Sequence, residues 1–227
     1  LGALIAHSAS ATAETAPLDF AREYIREIVT NERLRELGEK DVNENGANRF
    51  MASIRASTRI ILELRSQIRV LNGMSLAEPF DKVPTMIARA YEQKIEVNEQ
   101  WIATSQALLS AESSGPQPGV DYSAMVTETP KLTAKNEYID RALFQVSPLI
   151  FGMLIDSKPD KNGHASRLII TRAQRDQLVE SLRSGFGKKM DKKGDQGYFV
   201  ASGTVLRDLL LKKGYHCADE PMQGRGQ

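Results

Sequence analysis

The residue types best suited to chemistry are thinly spread in this chain, and each cluster falls short of a complete site. Residues 41–46, Asp-Val-Asn-Glu-Asn-Gly, set side-chain oxygens at Asp41, Asn43 and Asn45 ahead of Gly46. Oxygens at alternate positions around a tight turn are what a hard cation such as calcium requires. The rest of the pattern fails, with Ala52 where a bidentate Glu is needed and Asn48 and Arg49 at two other ligand-loop positions. The segment therefore reads as a polar connection turning at Asn45-Gly46. In 156–163, aligning Gly163 with the glycine of such a loop puts Lys158 in the first ligand position, which a cation rejects. His216 and Cys217, with Asp219 and Glu220 close behind, have the softness to bind a transition metal. No second cluster completes four ligands. Glu92, Glu96 and Glu99 share a helix face with no histidine among them and read as solvated. No metal and no cofactor are expected.

Nucleophilic chemistry is equally incomplete. Cys217 is the only cysteine, so no internal disulfide can form. A Cys217–His164 dyad or a Ser–His pair would need partners that no local motif marks. Neither Gly-x-Ser-x-Gly nor His-Glu-x-x-His occurs. Residues 183–190, Arg-Ser-Gly-Phe-Gly-Lys-Lys-Met, carry a Gly-x-Gly-Lys string without the spacing or the preceding strand of a phosphate loop. There Gly185 and Gly187 are expected to loosen a helix or let it pack closely. No catalytic residue is assigned, and an enzyme ranks behind two binding readings.

The first binding reading rests on lysines. Residues 1–157 carry a net charge of −5, residues 158–218 a net of +7 and residues 219–227 a net of −1. Lys188, Lys189, Lys192, Lys193, Lys212 and Lys213 fall in the basic part and are expected to form a patch for an anionic surface, a phospholipid or polysaccharide phosphate, or for another protein. Nucleic acid is not expected, because the N-terminal residues point to export. Leu-Gly-Ala-Leu-Ile-Ala precedes His-Ser-Ala-Ser-Ala-Thr-Ala, which offers the Ala-x-Ala options Ala9-Ser10-Ala11 and Ala11-Thr12-Ala13. That is the pattern of the end of a secretory signal peptide, so residues 1–13 are read as its remnant and the location as periplasmic or secreted. No apolar run reaches the roughly 20 residues a membrane span needs.

The second binding reading is a small-molecule pocket where the core is interrupted. Leu143–Ile155 is the most apolar run beyond the N-terminus, broken only by Gln145 and Ser147 and carrying Pro148 at its centre. Proline has no N–H and clashes with the carbonyl four residues earlier, here that of Phe144. A kink at Pro148 would free that carbonyl, and Phe144, Gln145, Ser147, Pro148, Lys94 and Asn98 are the residues expected around the gap.

The elements that must position these residues are helical. Aromatic residues are only 6% of the chain, and the regular segments favour Leu, Ile, Ala, Arg, Glu, Lys and Gln. Phe20, Tyr24, Ile28, Leu34 and Leu37 recur at helical spacing after Pro17, and Gly38 weakens the pattern. From about 48 to 72, Ile54, Ser57, Ile61, Leu64, Ile68 and Leu71 form a seam, with five arginines on the flanks and Gly73 as a stop. From about 79 to 113 two adjacent seams run side by side. One is Val83, Ile87, Ala90, Lys94, Val97, Trp101, Thr104 and Leu108; the other is Ala88, Tyr91, Ile95, Asn98, Ile102, Ser105 and Leu109. Two seams require two neighbours, as in a bundle.

A loop at 113–119 leads to Asp121 as an N-cap, and helical phase then runs to Ile155, with Pro130 dividing two helices and Pro148 bending one. Arg167–Ile170 is a short extended piece, and Thr171-Arg172-Ala173-Gln174 is a capping box opening a helix to about Met190. The last helix is expected over 198–213. The predicted fold is all-α, a bundle of about five to six helices with long, kinked central helices. It forms one domain, 14–218, with its core over 17–156 and a basic helical part over 167–214, followed by a disordered tail at 219–227.

Overall fold

The computed structural model describes residues 14–44, 49–115, 121–156, 166–191 and 197–221. Outside these lie the signal-peptide reading of 1–13, the Asn45-Gly46 turn, most of the 113–119 loop, Lys158 to Gly163, His164, Lys192, Lys193 and the last six residues. The fold is an all-α bundle. Its helices are α1 (Pro17–Glu44), α2 (Arg49–Asn72), α3 (Val83–Ser114), α4 (Tyr122–Phe144), α5 (Val146–Met153), α6 (Arg172–Phe186) and α7 (Tyr198–Leu210). A 3₁₀ turn, Gly187–Asp191, extends α6. No described helix is long and apolar enough to cross a membrane.

The four long helices pack in sequence, α1 on α2, α2 on α3 and α3 on α4, while α5 and α7 close the assembly over α1 and α6. The expected seams are the buried faces. On α2 the core positions are Ala52, Ser57, Ile61, Leu64, Gln67 and Leu71. On α3 both seams are buried through their first half, and from Trp101 onward burial weakens.

Gly38 does not stop α1, which continues to Glu44. A Cβ there would lie 3.0 Å from the Cβ of Ala56, so the glycine sits at a close contact between α1 and α2. Leu37 beside it is 47% exposed and is not a core residue. The continuation makes Asp41 helical, and its carboxylate takes the Arg55 guanidinium at 2.9 Å. The described part of 41–46 is thus helix rather than cation loop.

The apolar run at 143–155 is core, as its composition dictates. Ile150 and Leu154 are fully buried, and Leu143, Val146, Phe151 and Met153 nearly so. It is not one helix bent at Pro148. The chain breaks at Gln145, whose N–H bonds Ala142 O at 3.2 Å, and α5 restarts at Val146. The proline explains the place. Continuing α4 would set the Pro148 ring against the Phe144 carbonyl, whereas in the first turn of a new helix the missing N–H has no partner to lose. The break sets off α5 as a short helix of its own. Pro130, by contrast, lies inside an unbroken α4. Asp121 caps α4 through Ala124 N, and Thr171 and Gln174 form the reciprocal capping box of α6.

The extended piece near 167 does find partners. β2 (Ser166–Leu168) pairs antiparallel with β1 (Ile155–Asp156) and parallel with β3 (Tyr215–His216). This small sheet ties the end of α5 to the chain after α7. The start of the supposed tail is also held in place: Asp219 Oδ1 accepts the Arg172 N–H at 2.8 Å and Glu220 takes the Arg172 guanidinium at 2.6 Å.

Close helix contacts in the C-terminal part depend on two glycines. Gly185 faces Val29 on α1, and Gly203 faces Phe186 and Leu182 on α6. A Cβ on Gly203 would sit 2.9 Å from Phe186 Cδ2 and 3.3 Å from Leu182 Cδ2, and both neighbours are fully buried. Gly203→Ala is therefore expected to destabilise by about 1–3 kcal/mol through overpacking, despite alanine's better helix propensity. Chemical denaturation of the variant checks this, and a gain in stability would show that α6 and α7 can separate freely.

Candidate functional site

Polar side chains recur on the inward faces of α1, α3 and α4 in pairs four residues apart. They are Asn31 and Arg35 on α1, Lys94 and Asn98 on α3, and Asn136 and Asp140 on α4. Four residues is about one helical turn, so each pair lies on one stripe. The three stripes meet at a cavity of about 140 Å³. Ile60 and Leu64 of α2, Val97 and Trp101 of α3 and Phe199 of α7 complete its wall.

Lys94 is the centre of the polar side. It is 6% exposed and forms an ion pair with Asp140 Oδ1 at 2.5 Å. It also donates to Asn136 Oδ1 at 2.9 Å, and its ammonium stands 5.4 Å from the centroid of the Phe199 ring. Three contacts thus surround an ammonium with three donor hydrogens. Asn136 in turn donates to Asp140 Oδ2. Burial raises the pKa of Asp140 above the ordinary carboxylate value, and the neighbouring Lys94 only partly offsets it. Asn98 gives its side-chain N–H to the Lys94 carbonyl at 2.8 Å, leaving its amide oxygen as an acceptor. At the mouth, Arg35 is held by Glu32 at 2.8 Å and by Glu39. Burial acts to raise Glu32, but Arg35 and Lys189 together bring its pKa below the usual value. Both cations of the cavity are therefore already neutralised.

A second buried polar layer runs beneath this one. Asn31 and Gln67 exchange hydrogen bonds between α1 and α2. Tyr91 of α3 donates to Glu27 Oε2 at 3.0 Å. Glu27 is 1% exposed and its Oε1 has no partner, and burial pushes its pKa up to about 8. Tyr24 shares a hydrogen bond with Ser147 at 2.9 Å, with its pKa pushed up to about 12 by burial.

The structure divides the six residues expected at a proline kink. Lys94 and Asn98 line the cavity. Phe144, Gln145, Ser147 and Pro148 do not; Gln145 and Pro148 are exposed, Phe144 is half-buried and Ser147 is spent on Tyr24. The sequence reading missed Asn31, Arg35, Trp101, Asn136, Asp140 and Phe199 as site residues. Asp140 had a usable signal, since it directly follows Ile139, a residue of the apolar helical phase. Phe199 had none, because α7 reaches the cavity only through the tertiary fold.

The lysines are divided too. Lys188 is exposed, but Lys189 is drawn onto α1 by Glu32 and Glu36. Gly197, at the start of α7, lies over the same Glu32 and Arg35. Lys212 and Lys213 follow the other end of α7, a helix roughly 20 Å long, and sit beside Arg172. The described lysines thus occupy two ends of the α6–α7 pair.

Cys217 is fully buried with its thiol pKa raised by that burial, so it is inert rather than nucleophilic. Glu96 and Glu99 pair with Lys135 and Arg65 on the surface. Among the described residues no three His, Cys, Asp or Glu side chains converge as metal ligands. No protein-family model, curated protein or solved structure matches the chain.

Proposed function

We propose that the protein is a non-catalytic binding module that holds a small, uncharged, ring-sized molecule in the cavity between α1, α2, α3, α4 and α7. The observation that carries this reading is a buried, internally neutralised polar wall facing an aromatic and aliphatic one. Ligand sites typically have this form, mostly apolar with a few fixed polar groups. Size sets the upper limit on the ligand. A dry cavity of about 150 Å³ accepts benzene, so about six to nine non-hydrogen atoms fit here. Charge sets its type. An ionic ligand would lose its hydration and find Lys94 and Arg35 already paired, so a neutral molecule is favoured. The Asn98 oxygen calls for a donor such as an amide or hydroxyl on that molecule.

Thermal unfolding in the presence of benzamide, benzoate and benzylamine tests the reading. Benzamide at about 100 times its dissociation constant should stabilise the fold by about 2.7 kcal/mol, with the two ions far less effective. Ile60→Phe, which adds bulk to the α2 wall, should abolish the shift while the variant stays folded. Equal shifts with all three compounds, or a benzamide shift that survives Ile60→Phe, would remove the cavity as the site.

A further inference from the structure

The α6–α7 end carries a second concavity, unconnected with the interior one. It is an open groove of about 370 Å³ whose polar lining is Arg172, Arg175, Lys212, Lys213, His216 and Glu220. Two stretches of chain, the start of α6 and residues 211–221, bring these residues together. Arg172 and Arg175 come from the first turn of α6, which the Thr171 capping box fixes. Lys212 and Lys213 come from the turn after α7, closed by Gly214 at φ +95°, a conformation that favours glycine. His216 is fixed by the pairing of β3 with β2. Glu220 is fixed by accepting the Cys217 N–H at 2.8 Å. The groove floor is Tyr215, whose ring packs edge-on against Phe151 with centroids 5.0 Å apart.

The charges do not balance. Glu220 neutralises Arg172, and Asp176 pairs with Arg175 at 2.9 Å. Asp219 is occupied by the Arg172 backbone N–H. Lys212 and Lys213 are exposed and make no ion pair with any described residue; the Lys212 ammonium lies 6.0 Å from the Tyr215 ring centroid. Two uncompensated ammonium groups beside two guanidinium groups and an aromatic floor define a complement for one doubly charged, compact anion attached to an apolar group. A phosphomonoester carries close to two negative charges at neutral pH and three acceptor oxygens, and it satisfies both requirements.

We propose that this groove binds a phosphomonoester dianion, with Lys212 and Lys213 supplying the uncompensated charge and Tyr215 contacting the esterified group. Isothermal titration of the full chain with phenyl phosphate, inorganic phosphate and phosphatidylglycerol vesicles tests it. Phenyl phosphate should bind most tightly, inorganic phosphate more weakly, and both should weaken as salt rises. Lys212→Ala/Lys213→Ala, two exposed positions, should reduce phenyl phosphate affinity at least tenfold without moving the unfolding temperature. Tyr215→Leu should bring phenyl phosphate down to the level of inorganic phosphate. Failure of phenyl phosphate to bind, binding unchanged in the double variant, or binding to vesicles alone would each overturn the assignment.

Discussion

Replacing Lys94 with methionine is expected to cost about 3–5 kcal/mol of stability, because it leaves Asp140 buried without its counter-charge. The pair itself contributes little net energy, since burying two charges costs nearly what their attraction returns. What is costly is half a pair. Lys94→Met/Asp140→Leu should therefore recover most of the loss, and denaturant titration of the single and double variants measures the difference directly. The pH dependence of the single variant has a definite sign. Burial already raises the Asp140 pKa, and removing Lys94 raises it further. The variant should be weakest at alkaline pH and regain stability as acid protonates the stranded carboxyl. A double variant as unstable as the single one would mean that packing, not charge, is what Lys94 supplies.

Glu27 gives the second large effect, and it has the same sign along the pH axis. Its pKa is pushed up to about 8 in the folded protein, against an ordinary value of 4.5. Burial is the first cause, helped by Glu23 and Glu63; the Tyr91 hydrogen bond and Arg26 oppose it. Below pH 4.5 both folded and unfolded chains hold the proton, and the residue makes no difference. Between pH 4.5 and about 8 the unfolded chain releases the proton while the folded one keeps it, so stability falls as pH rises. Above pH 8 the loss is complete. Glu27→Gln keeps the acceptor for Tyr91 and has nothing to ionise. Its advantage over the parent should be near zero at pH 4, grow by about 1.4 kcal/mol per pH unit and reach roughly 3 kcal/mol at pH 7. Parallel stability curves for the two proteins across this range would place the Glu27 proton elsewhere.

Helix identity was legible because it depends on local period. The seams at 54–71 and 83–105 lie on the packed faces, with Ile54, Ile68, Ala90 and Ile95 half-buried at their edges, and the capping residues Asp121 and Thr171 do what their types dictate. Interruptions were harder to read. Gly38 looked like a weak point of the helical pattern and is a packing contact, and Pro148 looked like a bend and is in the first turn of a new helix. In both cases the outcome depends on a neighbour that local sequence does not name. The cavity was half legible for the same reason. Lys94 and Asn98 stood out as polar residues in an apolar seam, which is a property of one helix. Their partners Asp140, Asn136 and Phe199 come from two other helices, and only packing brings them together. Of the patch lysines, the four described ones are divided between two ends of an antiparallel helix pair, a separation that local sequence does not show.

Trp101 is the only tryptophan in the chain and it forms part of the cavity wall, so its fluorescence reports on that site alone. Titration with benzamide should change the emission along a saturating curve, with a dissociation constant of about 1 mM or tighter. The change should vanish in Ile60→Phe and persist in Lys212→Ala/Lys213→Ala. An emission that does not respond, or that responds without saturating and equally in Ile60→Phe, would contradict a ligand-binding role for the cavity.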